Sequence, residues 1–74
     1  MTFDHSKLCG RIVERFGTRA NFAEAAGYTK AQLSARLNNV VHFDTDEIIA
    51  LCVPELLDIP AHDIPVYFLT PKFD

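Results

Sequence analysis

Seventy-four residues, 49% of them hydrophobic, allow one small domain with a single core, and no stretch approaches the roughly 18 apolar residues of a membrane span. No basic-then-apolar leader opens the chain, so a cytoplasmic protein is expected. The formal charge of −3 would argue against nucleic acid if it were evenly spread, but residues 1–39 carry six cations against three acids and the remainder one cation against seven.

Asp4 is the predicted N-cap of a first helix of about 12 residues, in which Leu8, Ile12 and Phe16 recur four apart, Cys9 and Val13 widen the stripe, and Gly17 ends it. Lys7, Arg11 and Arg15 share that spacing and form a basic row on a single face, suited either to solvent or to phosphate. Thr18 is the predicted cap of a short second helix through Ala26, with Phe22, Ala23 and Ala26 on one side and Gly27 free to turn sharply. Thr29 caps a third helix, whose inward face is set by Leu33 and Leu37. It ends near Asn38 and Asn39, because Asn tolerates the left-handed conformation that follows a helix.

Asp44 and Glu47 form a capping box for a fourth helix, and Phe43 is placed to staple against Ile48. Its expected buried side is Ile48, Ile49, Leu51 and Cys52. Pro54 stops it, since a proline there removes a hydrogen bond and clashes at a cost of roughly 3 kcal/mol, and a turn through Leu57 follows. Ile59 and Pro60 open another short turn or helix before Pro65. The tail, Val66-Tyr67-Phe68-Leu69 and then Phe73, is too apolar for a free terminus: it folds back on the core or meets another chain, a second copy included. The expected fold class is all-α, a compact bundle of about five short helices.

Two short helices joined by a three- or four-residue turn containing Gly, with a small Ala where they pack, make up a helix-turn-helix unit. Residues 18–39 fit that description: Ala23 lets the backbones approach, Gly27 turns the chain, and Phe22, Leu33 and Leu37 anchor the pair. With Leu33 and Leu37 inward, Ala31 and Ala35 face most directly outward, flanked by Gln32, Ser34 and Asn38, with Lys30 at the start. Two alanines can touch a thymine methyl but cannot hydrogen-bond a base edge, so direct readout is thin. The same small apolar face suits a docking protein.

The stretch Thr18-Arg19-Ala20-Asn21-Phe22-Ala23-Glu24-Ala25-Ala26-Gly27, followed by residues 29–39, resembles the phage repressor and Cro-type helix-turn-helix family. The opening Phe3-Asp4-His5-Ser6-Lys7-Leu8-Cys9-Gly10-Arg11-Ile12, the Phe43-Asp44 cap and the closing Tyr67-Phe68-Leu69-Thr70-Pro71 are similar to short Cro-like or modulator-of-repression regulators of Gram-positive temperate phages. The resemblance implies a lambda-repressor-like fold in a bacterial host, with operator double-stranded DNA as partner or a phage repressor that binds such DNA. The DNA-binding residues it implies are Arg19, Thr29, Lys30, Ala31, Gln32, Ser34, Ala35 and Asn38. Arg19 stands where many members carry a phosphate-binding Gln, and Leu37-Asn38-Asn39 replaces a Glu-Asn-Gly ending.

No enzyme, metal site or cofactor is expected. His5, His42 and His62 lack ligand spacing and belong at surface or capping positions, while Cys9 and Cys52 read as small core residues kept as thiols. Two functions stand side by side: a lysogeny-switch regulator that binds operator DNA, and a modulator or antirepressor that uses the same fold to engage a repressor.

Overall fold

The structure is a computed structural model and describes residues 2–73. In chain order it contains α1 (Ser6–Phe16), α2 (Arg19–Ala26), α3 (Lys30–Leu37), α4 (Thr45–Leu51), a 3₁₀ turn (Ala61–Asp63) and α5 (Ile64–Phe68). The protein is all-helical, as expected. Phe3 and Pro71 add an isolated antiparallel bridge that ties the two ends of the chain together.

Each of the middle helices starts on a side-chain cap. Thr18 Oγ1 accepts from Asn21 N–H at 3.1 Å, Thr29 Oγ1 from Gln32 N–H at 3.1 Å, and Asp44 Oδ1 from Glu47 N–H at 2.7 Å. Gln32 and Glu47 reach back to the N–H groups of Thr29 and Asp44, closing two capping boxes, each worth about 1 kcal/mol of helix stability. At the other ends, Gly17 and Gly27 take φ of 81° and 82°, and Asn39 takes 63° after α3. The first helix departs from expectation by one residue: His5 occupies its N-cap without a side-chain bond, while Asp4 Oδ1 accepts from Ser6 N–H at 2.8 Å in a turn just before it.

The core gathers Leu8 and Ile12 of α1, Phe22 and Ala23 of α2, Leu33 and Leu37 of α3, Leu51 of α4, Leu57 and Ile59 of the following loop, and Phe68 of α5. One expectation about the core is corrected here. Ile49 is 60% exposed, because the inward stripe of α4 runs through Ile48, Leu51 and Cys52 and a residue one position past Ile48 is rotated about 100° away from it. The short turn expected between Pro60 and Pro65 is the 3₁₀ turn Ala61–Asp63, and Pro65 belongs to the helix after it. The proline lies at the second position of α5, where its missing N–H has no intrahelical partner to lose.

The tail folds back. Phe68 is buried, and the Phe43 ring meets it edge-on at 5.3 Å and meets His5 at 5.7 Å. Val66, Leu69 and Phe73 remain exposed. His5 is likewise inside rather than at the surface, with Nδ1 3.2 Å from the Leu37 carbonyl. Cys9 and Cys52 are free thiols, each half-buried against the core.

Candidate functional site on helices α2 and α3

Helices α2 and α3 are linked by Gly27, Tyr28 and Thr29, and the turn is closed by Tyr28 N–H donating to the Ala23 carbonyl at 2.8 Å. Between the two helices opens a groove of about 190 Å³. Its bed is the buried apolar set Ala23, Leu33 and Leu37, with Ala20 on the α2 side and Ser34 on the α3 side. Arg19 and Lys30, the first residues of α2 and α3, stand at its rim. An apolar cavity of roughly 150 Å³ is known to hold a benzene ring, so this groove has space for one bulky apolar side chain.

The eight residues implied as DNA contacts lie in different local surroundings. Arg19, Lys30 and Ser34 line the groove. Thr29 and Gln32 are engaged with one another: Gln32 Oε1 accepts from Thr29 N–H at 2.9 Å, which turns the amide oxygen back to the start of its own helix. Asn38 Nδ2 donates to the Ser34 carbonyl at 2.9 Å and to its hydroxyl at 3.1 Å, so this pair is also satisfied within the last turn. Ala31 is exposed as expected, but Ala35 is half-buried, because the chain after α3 folds over it and both Val40 and Val41 N–H donate to its carbonyl. Ala20 was absent from the expected set. Its signal in the sequence is its spacing of three from Ala23, which puts two small side chains on one strip of α2.

Most of the basic charge of residues 1–39 is spoken for internally. Arg11 Nε and Nη2 donate to the carbonyls of Leu57 and Asp58 at 2.8 and 2.9 Å, and Arg15 Nε and Nη2 to those of Leu56 and Pro54 at 3.1 and 2.8 Å. The basic row of α1 lies at the surface, with Lys7 and Arg15 exposed, but two of its members also cap the irregular backbone after α4, which has no ladder of its own to satisfy those carbonyls. Lys7 lies 5.9 Å from the centre of the Tyr67 ring.

Arg36 is drawn off as well. Its Nε donates to Glu47 Oε1 at 2.6 Å, and its guanidinium sits 5.0 Å from the centre of the Tyr28 ring. Tyr28 OH donates to the same carboxylate oxygen at 2.8 Å, while Glu47 Oε2 accepts from Asp44 N–H at 3.0 Å. Desolvation opposes the charge on Glu47, but the Asp44 amide, the Tyr28 hydroxyl and Arg36 outweigh it and hold the carboxyl at about 2. Burial, then the bond to Glu47, pushes the Tyr28 phenol up to about 12.

Arg19 and Lys30 are left. Arg19 Nη2 lies 3.3 Å from Cys9 Sγ, and among the described residues neither cation has a carboxylate within ion-pair distance. Among the described residues no group of three His, Cys, Asp or Glu is placed to hold a metal ion, and no helix is long and apolar enough to cross a membrane.

These features define a small all-helical fold that presents a shallow apolar groove between two short paired helices, with cations at its rim. The chain belongs to the DUF739 family, described as a protein of unknown function, whose model matches residues 1–71. Among solved structures it is similar to the solution structure of the modulator of repression (MOR) of the temperate bacteriophage TP901-1 from Lactococcus lactis, at 38% identity with a TM-score of 0.81, over 100% of this chain and 97% of that one. No curated protein matches it. The modulator-of-repression side of the sequence resemblance is the part that this similarity supports.

Proposed function

We propose that this protein modulates a phage-type repressor by binding the repressor protein through the α2–α3 face. The observation that carries the reading is the state of that face: Thr29, Gln32, Ser34 and Asn38 hydrogen-bond one another, while an apolar groove beside them stays open. Groups already bonded within their own helix are poor readers of base edges, whereas an open apolar concavity is what an anchoring side chain of a protein partner fills. The similarity to a phage modulator of repression points the same way. Under this reading residues 18–39 are a helix-turn-helix that serves protein contact, the chain is one domain, and no reaction is catalysed.

Operator binding, the other reading, draws its support from Arg19 and Lys30. Two phosphate contacts give a salt dependence of only about two counterions, against 6–10 for regulators that bind DNA tightly on their own. The test is to titrate the protein against the repressor encoded with it and against labelled duplex from their shared promoter region. The expected result is a complex with the repressor in the absence of DNA and a changed affinity of the repressor for its operator when the protein is present. Tight, salt-sensitive binding of the duplex by this protein alone, with no effect of the repressor, would overturn the proposal.

A further inference from the structure

The α2–α3 groove also indicates the chemistry of what fills it. Resting on the reading that this face is where the repressor binds, we propose that the groove takes a large apolar side chain of the partner protein, flanked there by carboxylates. The apolar anchor follows from the bed: Ala20, Ala23, Leu33 and Leu37 offer no hydrogen-bonding side chain, and the Ser34 hydroxyl on the α3 side already accepts from Asn38, so a polar occupant would lose most of its water without replacement. The acidic half comes from four positive features converging on one rim. Arg19 and Lys30 are there without carboxylate partners among the described residues. Each is also the first residue of its helix, so the exposed N–H ends of α2 and α3 add their partial positive charge at the same place.

Nothing in either first turn offsets that charge. Both helices are capped by neutral Thr and have no acidic residue in the first turn, whereas α4 is capped by Asp44 and follows it with Asp46 and Glu47. The chain as a whole is acidic, which makes an uncompensated positive rim around an apolar bed a local specialisation and not a reflection of composition. A DNA phosphate would satisfy the rim but would leave the bed empty. A protein segment with an apolar anchor between two acids satisfies both.

Two stapled helical peptides test this, each with a single central Leu flanked one turn away on either side by Glu in one and by Lys in the other. Titrated into the isotope-labelled protein and followed by amide NMR, the Glu-flanked peptide should shift Ala20, Ala23, Leu33 and Ser34 and bind about tenfold tighter, as two rim pairs of about threefold each imply. Arg19→Glu combined with Lys30→Glu should reverse the preference. Equal binding of the two peptides, shifts centred elsewhere, or a random duplex outcompeting the Glu peptide at the groove would overturn the proposal.

The repressor itself separates this inference from the reading beneath it. Ala20→Trp and Ser34→Trp fill the groove from opposite walls, and two variants guard against one failing to fold. If both fold and the repressor still binds, the function proposed for this face falls, while the peptides still decide what the groove accepts. If both abolish repressor binding but the Arg19→Glu, Lys30→Glu protein binds it unchanged, the acidic partner is refuted and the face remains.

Discussion

The side-chain amide of Asn39 binds the backbone of Phe3 at two points: Phe3 N–H donates to Asn39 Oδ1 at 2.8 Å, and Asn39 Nδ2 donates to the Phe3 carbonyl at 2.9 Å. Asn39 takes a φ of 63°, a conformation that Asn tolerates better than most residues, and it holds the N-terminal segment against the end of α3 from 36 residues away. The two contributions separate by substitution. Asn39→Gly removes the bonds but keeps the conformation free of strain, and should cost about 1 to 2 kcal/mol. Asn39→Ala adds the left-handed penalty, about 1 kcal/mol more. Urea denaturation should therefore rank the native protein above Gly and Gly above Ala; equal losses would show that the conformation contributes nothing.

Arg11 and Arg15 together supply four donors to the carbonyls of Pro54, Leu56, Leu57 and Asp58. Arg11→Met keeps the aliphatic stem and removes the donors, and should cost about 1 to 3 kcal/mol, with hydrogen exchange accelerated across residues 53–59 before the rest of the molecule opens. Arg11→Lys should rescue little, because an ammonium cannot span two carbonyls as the guanidinium fork does. Full rescue by Lys would mean that charge, and not geometry, is what this contact requires.

Glu47 sets the acid limb of stability. Its folded value of about 2 lies below the ordinary 4.5, so the stability it contributes is complete above about 4.5 and is lost as pH falls towards 2. Tyr28, raised from 10.0 to about 12 by burial first and then by the same hydrogen bond, makes a contribution that is complete below about 10 and lost as pH rises through 12. The two shifts describe one contact and are not added. Glu47→Gln should destabilise the protein by about 1 to 2 kcal/mol at neutral pH, the shift being reduced by solvent screening of a partly exposed carboxylate, and the gap should narrow towards pH 2. Thermal melts of both proteins across pH 2 to 7 check it, and a gap independent of pH would show that the carboxylate charge is not involved.

Leu33 is 2% exposed between α2 and α3 and also forms part of the groove bed. Leu33→Ala should cost roughly 2 to 5 kcal/mol, and in a domain of this size each kcal/mol lowers the melting temperature by about 4 to 8 °C. Partner binding should fall with it. An unchanged melt would mean that the side chain does not fill the space assigned to it.

What the sequence determined by itself was most of what is written within one turn of helix, with the Asp4 cap and Ile49 as the exceptions. The caps at Thr18, Thr29 and Asp44, the stops at Gly17, Gly27 and Pro54, and the inward pair Leu33 and Leu37 are legible because cap bonds reach three residues and a helical face repeats every three or four. The tertiary structure alone decided where the charges went. Lys7, Arg11 and Arg15 looked like one basic row, yet the arginines end on carbonyls 39 to 47 residues away, and Arg36 ends on Glu47 of another helix. Local spacing states which face a side chain leaves from but not what stands opposite, so Arg11, Arg15 and Arg36 became fastenings within the fold, Lys7 stayed exposed near Tyr67, and Arg19 and Lys30 were left beside the groove. Ala35 follows the same logic in reverse. Its spacing on α3 points it outward, but its exposure depends on the segment that folds across it, and that is settled only when the chain closes on itself.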